Sequence, residues 1–246
     1  MFDFFVKKKF LVDYLDGFTD IHNHILPGID DGAKNVEESL SLIKGMGAFG
    51  ITNFICTPHI MENYYPNTPE TIKNALNTID KALKKEGNSD VRLRAAAEHM
   101  IDSGFETLLD TDGIMPISDQ YILVEMSYLQ ASLNFEEAIQ KLKDNDLFPI
   151  FAHPERYIYL KHNKGDYKRI KDLGMLFQLN LLSLSGYYGK EVHKKAVLLL
   201  ENNLIDFVAT DLHKENHLKC LKQIQITPNM LKLVMPLIER TSYNFG

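Results

Sequence analysis

Cysteine is scarce in this chain: Cys56 and Cys220 are the only two in 246 residues. Two thiols cannot build a disulfide framework, and their scarcity fits a reducing, cytoplasmic compartment. A basic excess is missing as well. Lys and Arg number 27 against 33 Asp and Glu, a formal charge of −6, so there is no electrostatic case for a nucleic-acid partner. No apolar run reaches the length of a membrane span. The opening Met1 to Tyr14 is apolar and basic, but Lys7, Lys8 and Lys9 interrupt it and no small-residue cleavage site follows, which argues against a secretory signal. Two readings of Phe2, Phe4, Phe5 and the three lysines stay open: weak peripheral contact with an anionic membrane surface, or packing on the body of the protein. No low-complexity linker or shift in composition divides the chain. Residues 1–246 therefore read as one domain, and 45% hydrophobic content suffices for one large core.

What the chain does have is alternation. Short β-rich runs (Phe18–Ile25, Ile51–His59, Val91–Met100, Tyr121–Ser127, Phe148–Arg156, Met175–Leu182 and Leu204–His213) are separated by helical patterns. Their starts recur at roughly 27 to 40 residues, the size of a βα unit, which predicts an α/β protein with a parallel sheet. Asn35 opens a helix over Val36 to Phe49, with Glu38 at the capping-box position and Gly50 just past its end. Thr68-Pro69 and Thr227-Pro228 open two more, the last reaching about Arg240. These helices are expected to pack outside a closed sheet.

The informative pattern is what ends each strand. Asp20-Ile21-His22-Asn23-His24 and Thr210-Asp211-Leu212-His213 carry ligand-type side chains at i and i+2, which a strand points to one face. His59 ends the second run, Glu98 and Glu125 end the third and fourth, and His153 falls at the fifth. In α/β barrels the C-terminal strand ends share one mouth, so these chain-distant groups become neighbours. So many converging imidazoles and carboxylates would destabilise a metal-free core, and the pattern points to a metal cluster. Mixed carboxylate and imidazole donors without cysteine suit Mn, Fe or Zn. Asp30-Asp31-Gly32 is a strong turn former, and Asp31 is expected both to make the turn and to add a ligand.

In these residues the chain resembles the PHP (polymerase and histidinol phosphatase) superfamily, and within it the manganese-dependent tyrosine phosphatases of bacterial capsule and exopolysaccharide operons. The resemblance rests on the run Asp20 to Gly32, on Thr57-Pro58-His59, Glu98 and Glu125, on His153-Pro154-Glu155-Arg156-Tyr157, and on Asp211-Leu212-His213. It implies a distorted (β/α)7 barrel holding up to three metal ions, usually manganese. By carry-over, His22, His24, Glu98 and Asp211 hold one ion; Glu98, Glu125 and His153 hold a second, with Glu98 bridging; Asp31, His59 and His213 hold the third. The implied substrate is phosphotyrosine on the tail of a tyrosine kinase that regulates polysaccharide export. Arg156, on the loop after His153, is placed to bind phosphate with its planar fork; the alternative is a surface pair with Glu155. Tyr64, Tyr65 and Tyr157 either line the mouth and stack on an aromatic substrate or pack within their loops.

Two departures refine the reaction class. Neither cysteine is followed six positions later by arginine, so the thiol-based phosphatase mechanism has no motif here. The family's members often carry an arginine shortly after the Asp-x-His pair, whereas Lys214 to Cys220 offers only Lys214 and Lys219, which leaves the second phosphate contact unassigned. His99, His162, His193 and His217 receive no chemistry. Rival readings are a phosphatase of a small histidinol-phosphate-like ester and a non-catalytic, metal-stabilised module.

Overall fold

The computed structural model describes residues 9–246; Phe2, Phe4, Phe5, Lys7 and Lys8, with their two open readings, lie outside the described residues. The strands are β1 (Thr19–Asp20), β2 (Asn53–Cys56), β3 (His59–Ile60), β4 (Arg92–Ala95), β5 (Glu98–Met100), β6 (Tyr121–Glu125), β7 (Phe148–Ala152), β8 (Leu176–Asn180) and β9 (Phe207–Ala209). They form two sheets of order β1-β2-β4 and β3-β5-β6-β7-β8-β9, and every pairing is parallel. A parallel bridge between Asn23 and Leu212 joins the last strand to the first, through His24 N–H to the Leu212 carbonyl (2.8 Å) and Asp211 N–H to the His22 carbonyl (2.8 Å). The result is a distorted seven-stave barrel.

Two of the expected strands are interrupted. Thr57-Pro58 separates β2 from β3, and Ala96-Ala97 separates β4 from β5. Proline has no N–H to give the ladder, so the break at Pro58 has a direct cause. The staves still run on across the gaps, because Ala96 N–H reaches the Cys56 carbonyl (2.8 Å) and Glu98 N–H the Pro58 carbonyl (3.1 Å). Other strands are shorter than their apolar runs: β7 ends at Ala152, and Pro154–Arg156 is a 3-10 turn.

Helices α1 (Val36–Gly47), α2 (Pro69–Lys85), α3 (Phe105–Asp110), α4 (Phe135–Asp144), α5 (Lys164–Asp172), α6 (Lys190–Glu201), α7 (Glu215–Lys222) and α8 (Pro228–Phe245) fill the connections. Their starts follow local chemistry. Asn35 Oδ1 accepts the Glu38 N–H at 2.9 Å, while the Glu38 carboxylate reaches back to Lys34 N–H rather than to the cap residue. Thr68 and Thr71 exchange side-chain and backbone hydrogen bonds ahead of α2, whose Ile72, Ala75, Ile79 and Leu83 form its buried stripe. The last helix runs past Arg240 to Phe245 despite Pro236, and it buries Val234, Leu237, Ile238, Thr241 and Phe245.

The alternation of side chains sorts the core. Ile55, Ala96, Leu123, Ile150, Ala152, Phe207 and Ala209 share an inner cluster with Phe245, and Phe54, Cys56, Ile122, Val124, Phe151, Phe177 and Val208 pack on the outer one. Glu98, Glu125 and Asp211 each lie two residues beyond an inward-facing Ala96, Leu123 or Ala209, so the pleat that builds the inner core aims these carboxylates into the mouth.

Candidate metal centre

The loop after β1 is fixed by a close approach of backbone. Asp30 Oδ1 accepts Gly32 N–H (2.9 Å) and Ala33 N–H donates to the His24 carbonyl (3.0 Å). A β-carbon at Gly32 would collide with the carbonyl and side chain of His24. Gly32→Ala is therefore expected to lower the thermal unfolding midpoint, at a cost of about 1–3 kcal/mol for overpacking; an unchanged midpoint would show that the loop yields freely. The turn assigns the two aspartates different work from that expected. Asp30, not Asp31, makes the turn, and its Oδ2 lies 2.8 Å from His24 Nδ1. Asp31 Oδ1 instead lies 3.4 Å from both His59 Nε2 and His213 Nε2.

Glu98 stands at the centre. Its Oε2 lies 3.2 Å from His22 Nε2, 3.5 Å from His24 Nε2 and 3.0 Å from His59 Nδ1, while its Oε1 lies 3.0 Å from His153 Nε2. Glu125 Oε1 is 2.8 Å from His59 Nδ1, and Asp211 Oδ1 is 3.3 Å from His22 Nε2 and 3.4 Å from His213 Nδ1. All nine expected ligand residues thus fall in one continuous cluster. Within it, sets of donor atoms close enough to share an ion are His24, Asp31, His59 and His213; His22, His24 and Asp211; His22, Glu98 and His153; and His59, Glu98 and Glu125. His59 sits nearer Glu125 than His153 does (2.8 against 3.9 Å), which differs from the carried-over grouping.

Residues outside the nine orient them. His22 Nδ1 donates to Gln178 Oε1 at 2.7 Å, and His213 Nδ1 to the Asp211 carbonyl at 3.0 Å, so each keeps Nε2 for the cluster. Asp211 Oδ2 accepts from Arg156 Nη1 and from Asn180 Nδ2, both at 2.7 Å, which turns Oδ1 inward. Gln178 and Asn180 lie on β8, the one expected strand without a ligand candidate. Their i and i+2 spacing was a readable signal. His153 and Asp211 also hold left-handed backbones, φ 36° and 52°, a conformation non-glycine residues keep only where surroundings impose it.

The donors fit metal ions. His59 Nδ1, Glu98 Oε2, Glu125 Oε1 and Asp211 Oδ1 are buried and, although they lie 2.8–3.3 Å from charged neighbours, none makes an aligned hydrogen bond among the described residues, a condition that an ion relieves. Burial presses the His24 and His59 imidazoles down, yet Asp30 beside the first, and Glu125 and Glu98 beside the second, carry both well above the usual histidine range. Burial pushes Glu98 up, but His22 and His59 hold it well below the carboxylate range. His24 and His59 thus favour their protonated forms, and metal binding must displace those protons. Calorimetry in buffers of differing ionisation heat is expected to show proton release on binding manganese, with affinity falling as pH drops; binding without proton release would contradict this charge pattern.

Arg156 is not paired with Glu155, which is buried and accepts from Ser183 and Asn180. Its guanidinium carbon lies 4.5 Å from the Tyr128 ring centre and 4.3 Å from that of Tyr188, in addition to its bond to Asp211. Among the described residues it is the one Lys or Arg lining a cavity of about 980 Å³ that is also lined by Asp31, His59, Glu98, Glu125, Asp211 and His213. Lys219 pairs instead with Glu215. Tyr64 and Tyr65 line this cavity, and Tyr65 stacks on His59 at 5.4 Å. Tyr157 does not. It is fully buried, stacked on Phe151 at 4.7 Å with its hydroxyl accepting Met126 N–H, so its place at the mouth is corrected to a place in the core. Tyr128 and Tyr188 were not read from the sequence. Cys56 is buried, and burial pushes its thiol far up, leaving no thiolate to attack.

Comparison with known proteins fits this architecture. The model of the family described as capsular polysaccharide synthesis, CpsB/CapC, matches residues 18–228. The tyrosine-protein phosphatase YwqE of Bacillus subtilis is 31% identical over 195 residues, 79% of this chain and 76% of that protein. The tyrosine-protein phosphatase CpsB of Streptococcus agalactiae is 30% identical over 200 residues, 79% and 82% of the two chains. Among solved structures, one from a report on YwqE of Bacillus subtilis and CpsB of Streptococcus pneumoniae, described there as unique metal-dependent tyrosine phosphatases, superposes with a TM-score of 0.75 at 29% identity, covering 91% of this chain and 94% of that one.

Proposed function

Because the chain belongs to the CpsB/CapC family of capsular polysaccharide synthesis, we propose that it is a metal-dependent protein-tyrosine phosphatase, acting in the cytoplasm on the phosphotyrosine tail of a bacterial tyrosine kinase that controls capsule or exopolysaccharide synthesis. The observation that carries this reading is one cluster of nine imidazole and carboxylate side chains, six of which line a single cavity together with Arg156 and several of which keep buried atoms without a hydrogen-bond partner.

His22, His24, Asp31, His59, Glu98, Glu125, His153, Asp211 and His213 would hold up to three ions, manganese in this reading, with iron or zinc also suited to the donors. When bound, such ions supply an activated water and neutralise charge on the phosphoryl oxygens. The chain's own part is positioning. Arg156 has spent one N–H on Asp211 and keeps further donors for the phosphoryl group. Burial works against its charge, but Asp211 keeps it protonated, so it meets the substrate as a fixed cation. Tyr64, exposed at the rim, is placed to lie against the substrate ring.

No helix among the described residues is long and apolar enough to cross a membrane. Two free cysteines support a reducing compartment. The breadth of the cavity speaks against a small histidinol-phosphate-like ester as the main substrate, and the full donor set against a non-catalytic module.

Phosphotyrosine-peptide hydrolysis is expected to vanish with a chelator, to return best with manganese, and to persist when Cys56 and Cys220 are both replaced by alanine. Chelator-resistant turnover, or loss of turnover in the folded double variant, would sink the metal-borne mechanism.

A further inference from the structure

Six large apolar side chains are exposed among the described residues, and three of them, Tyr64, Leu129 and Leu133, line the same cavity that holds the donor cluster. Leu129 and Leu133 are 74% and 106% exposed, on the loop between β6 and α4. Exposed apolar groups concentrated at one site mark a surface that something covers. The same cavity is lined by Met61, Met100 and Met126, pliant side chains that fit varied apolar partners.

Size and charge indicate what covers it. A cavity of about 980 Å³ lies at the top of the range, roughly 300–1,000 Å³, that accommodates a whole drug-sized ligand. One phosphotyrosine side chain leaves much of it unfilled. The lip is continuous with the phosphate end, so residues beside the phosphotyrosine in the same peptide are carried onto it. Outside the donor set the cavity is lined by the carboxylate of Asp102, while Arg156 is its one Lys or Arg among the described residues, and that cation is committed to the phosphate end. Acidic flanking residues would meet like charge there, and apolar ones would cover exposed leucine.

We propose that Leu129 and Leu133 form a docking lip for apolar residues flanking the phosphotyrosine of a peptide substrate, making this loop a specificity determinant. The proposal rests on the phosphotyrosine reading above.

The test uses the manganese-loaded full chain and its Leu129→Ser/Leu133→Ser variant, with phosphotyrosine peptides carrying leucine or glutamate on both sides of the phosphotyrosine, and a small aryl phosphate as reference. The leucine peptide is expected to have a KM roughly tenfold below that of the glutamate peptide, about 1.4 kcal/mol of discrimination, and the variant to lose most of that advantage when each KM is taken relative to the aryl phosphate. Equal KM values in the parent, or an advantage that survives in the variant, would overturn the lip while leaving the phosphatase standing. Loss of self-association in the variant, by light scattering, with peptide KM unmoved would assign the lip to a second copy and equally overturn it. A parent that hydrolyses the aryl phosphate but neither peptide would overturn the phosphotyrosine reading beneath it.

Discussion

Glu98→Gln is expected to reduce bound metal and to abolish hydrolysis together. Among the described residues Glu98 is the one carboxylate within 3.5 Å of all of His22, His24, His59 and His153, so its charge serves imidazoles from two staves and from the loop after β7. Glutamine keeps the shape and removes the charge. It leaves an amide N–H facing imidazoles that need a carboxylate, and it takes away a donor the bound ions would share. Forfeiting several kcal/mol of charge stabilisation corresponds to roughly three orders of magnitude or more in rate. Elemental analysis beside peptide kinetics checks both halves. Full metal with full turnover would remove Glu98 from the centre, and lost turnover with full metal would move its role from binding to chemistry.

The second large effect separates the phosphate contact from the cluster. Arg156→Ala is expected to retain metal yet to lose about 10²–10³ in kcat/KM, the scale seen when one fixed charge-stabilising donor is removed. Lysine is not expected to rescue it. The guanidinium is flat, lies between Tyr128 and Tyr188 and bonds Asp211, whereas an ammonium can neither stack in that slot nor present a fork. Tyr188→Ala, which opens one side of the slot, is expected to have a smaller effect of the same kind, with Tyr188→Phe restoring most of it. Normal kinetics in Arg156→Ala would leave the cavity without a Lys or Arg for phosphate and would overturn the phosphate-binding role.

These two residues also show what was legible in the sequence. Glu98, Glu125 and Asp211 could be read because a strand repeats every two residues, so a carboxylate two positions beyond an apolar residue shares its inward direction. Asp31 was read for proximity to His59 and His213, but the turn went to Asp30, since Asx-Gly chemistry does not say which of two adjacent aspartates caps it. For Tyr157 the sequence leaves the mouth and packing both open, and of the two the packing place holds: a one-residue step past Arg156 across the 3-10 turn sends its side chain onto Phe151, away from the mouth. Tyr128 and Tyr188 lie sixty residues apart in a pattern with no period, and only the closed barrel brings them to one guanidinium. The broken second and third staves were hidden for a related reason. Apolar runs report burial, and burial continues through Thr57-Pro58 and Ala96-Ala97 although the ladder does not.

The seam between the first and last staves sets an order of events during synthesis. Asp20 receives the backbone and hydroxyl of Thr210, a partner 190 residues away, and Asn23 bridges Leu212. At ~5–20 residues per second the ribosome releases the second side of this seam roughly 10–40 s after the first. Throughout that interval a nascent chain displays His22 and His24 without Asp211 and His213. Two of the four donor sets, those with Asp211 or His213, and barrel closure therefore await the same late residues, and a chain cut short before Asp211 lacks all three. The full cluster is thereby completed only once translation has passed the last stave, and a ribosome-stalled fragment ending near Asn180 is expected to retain less metal than the whole chain.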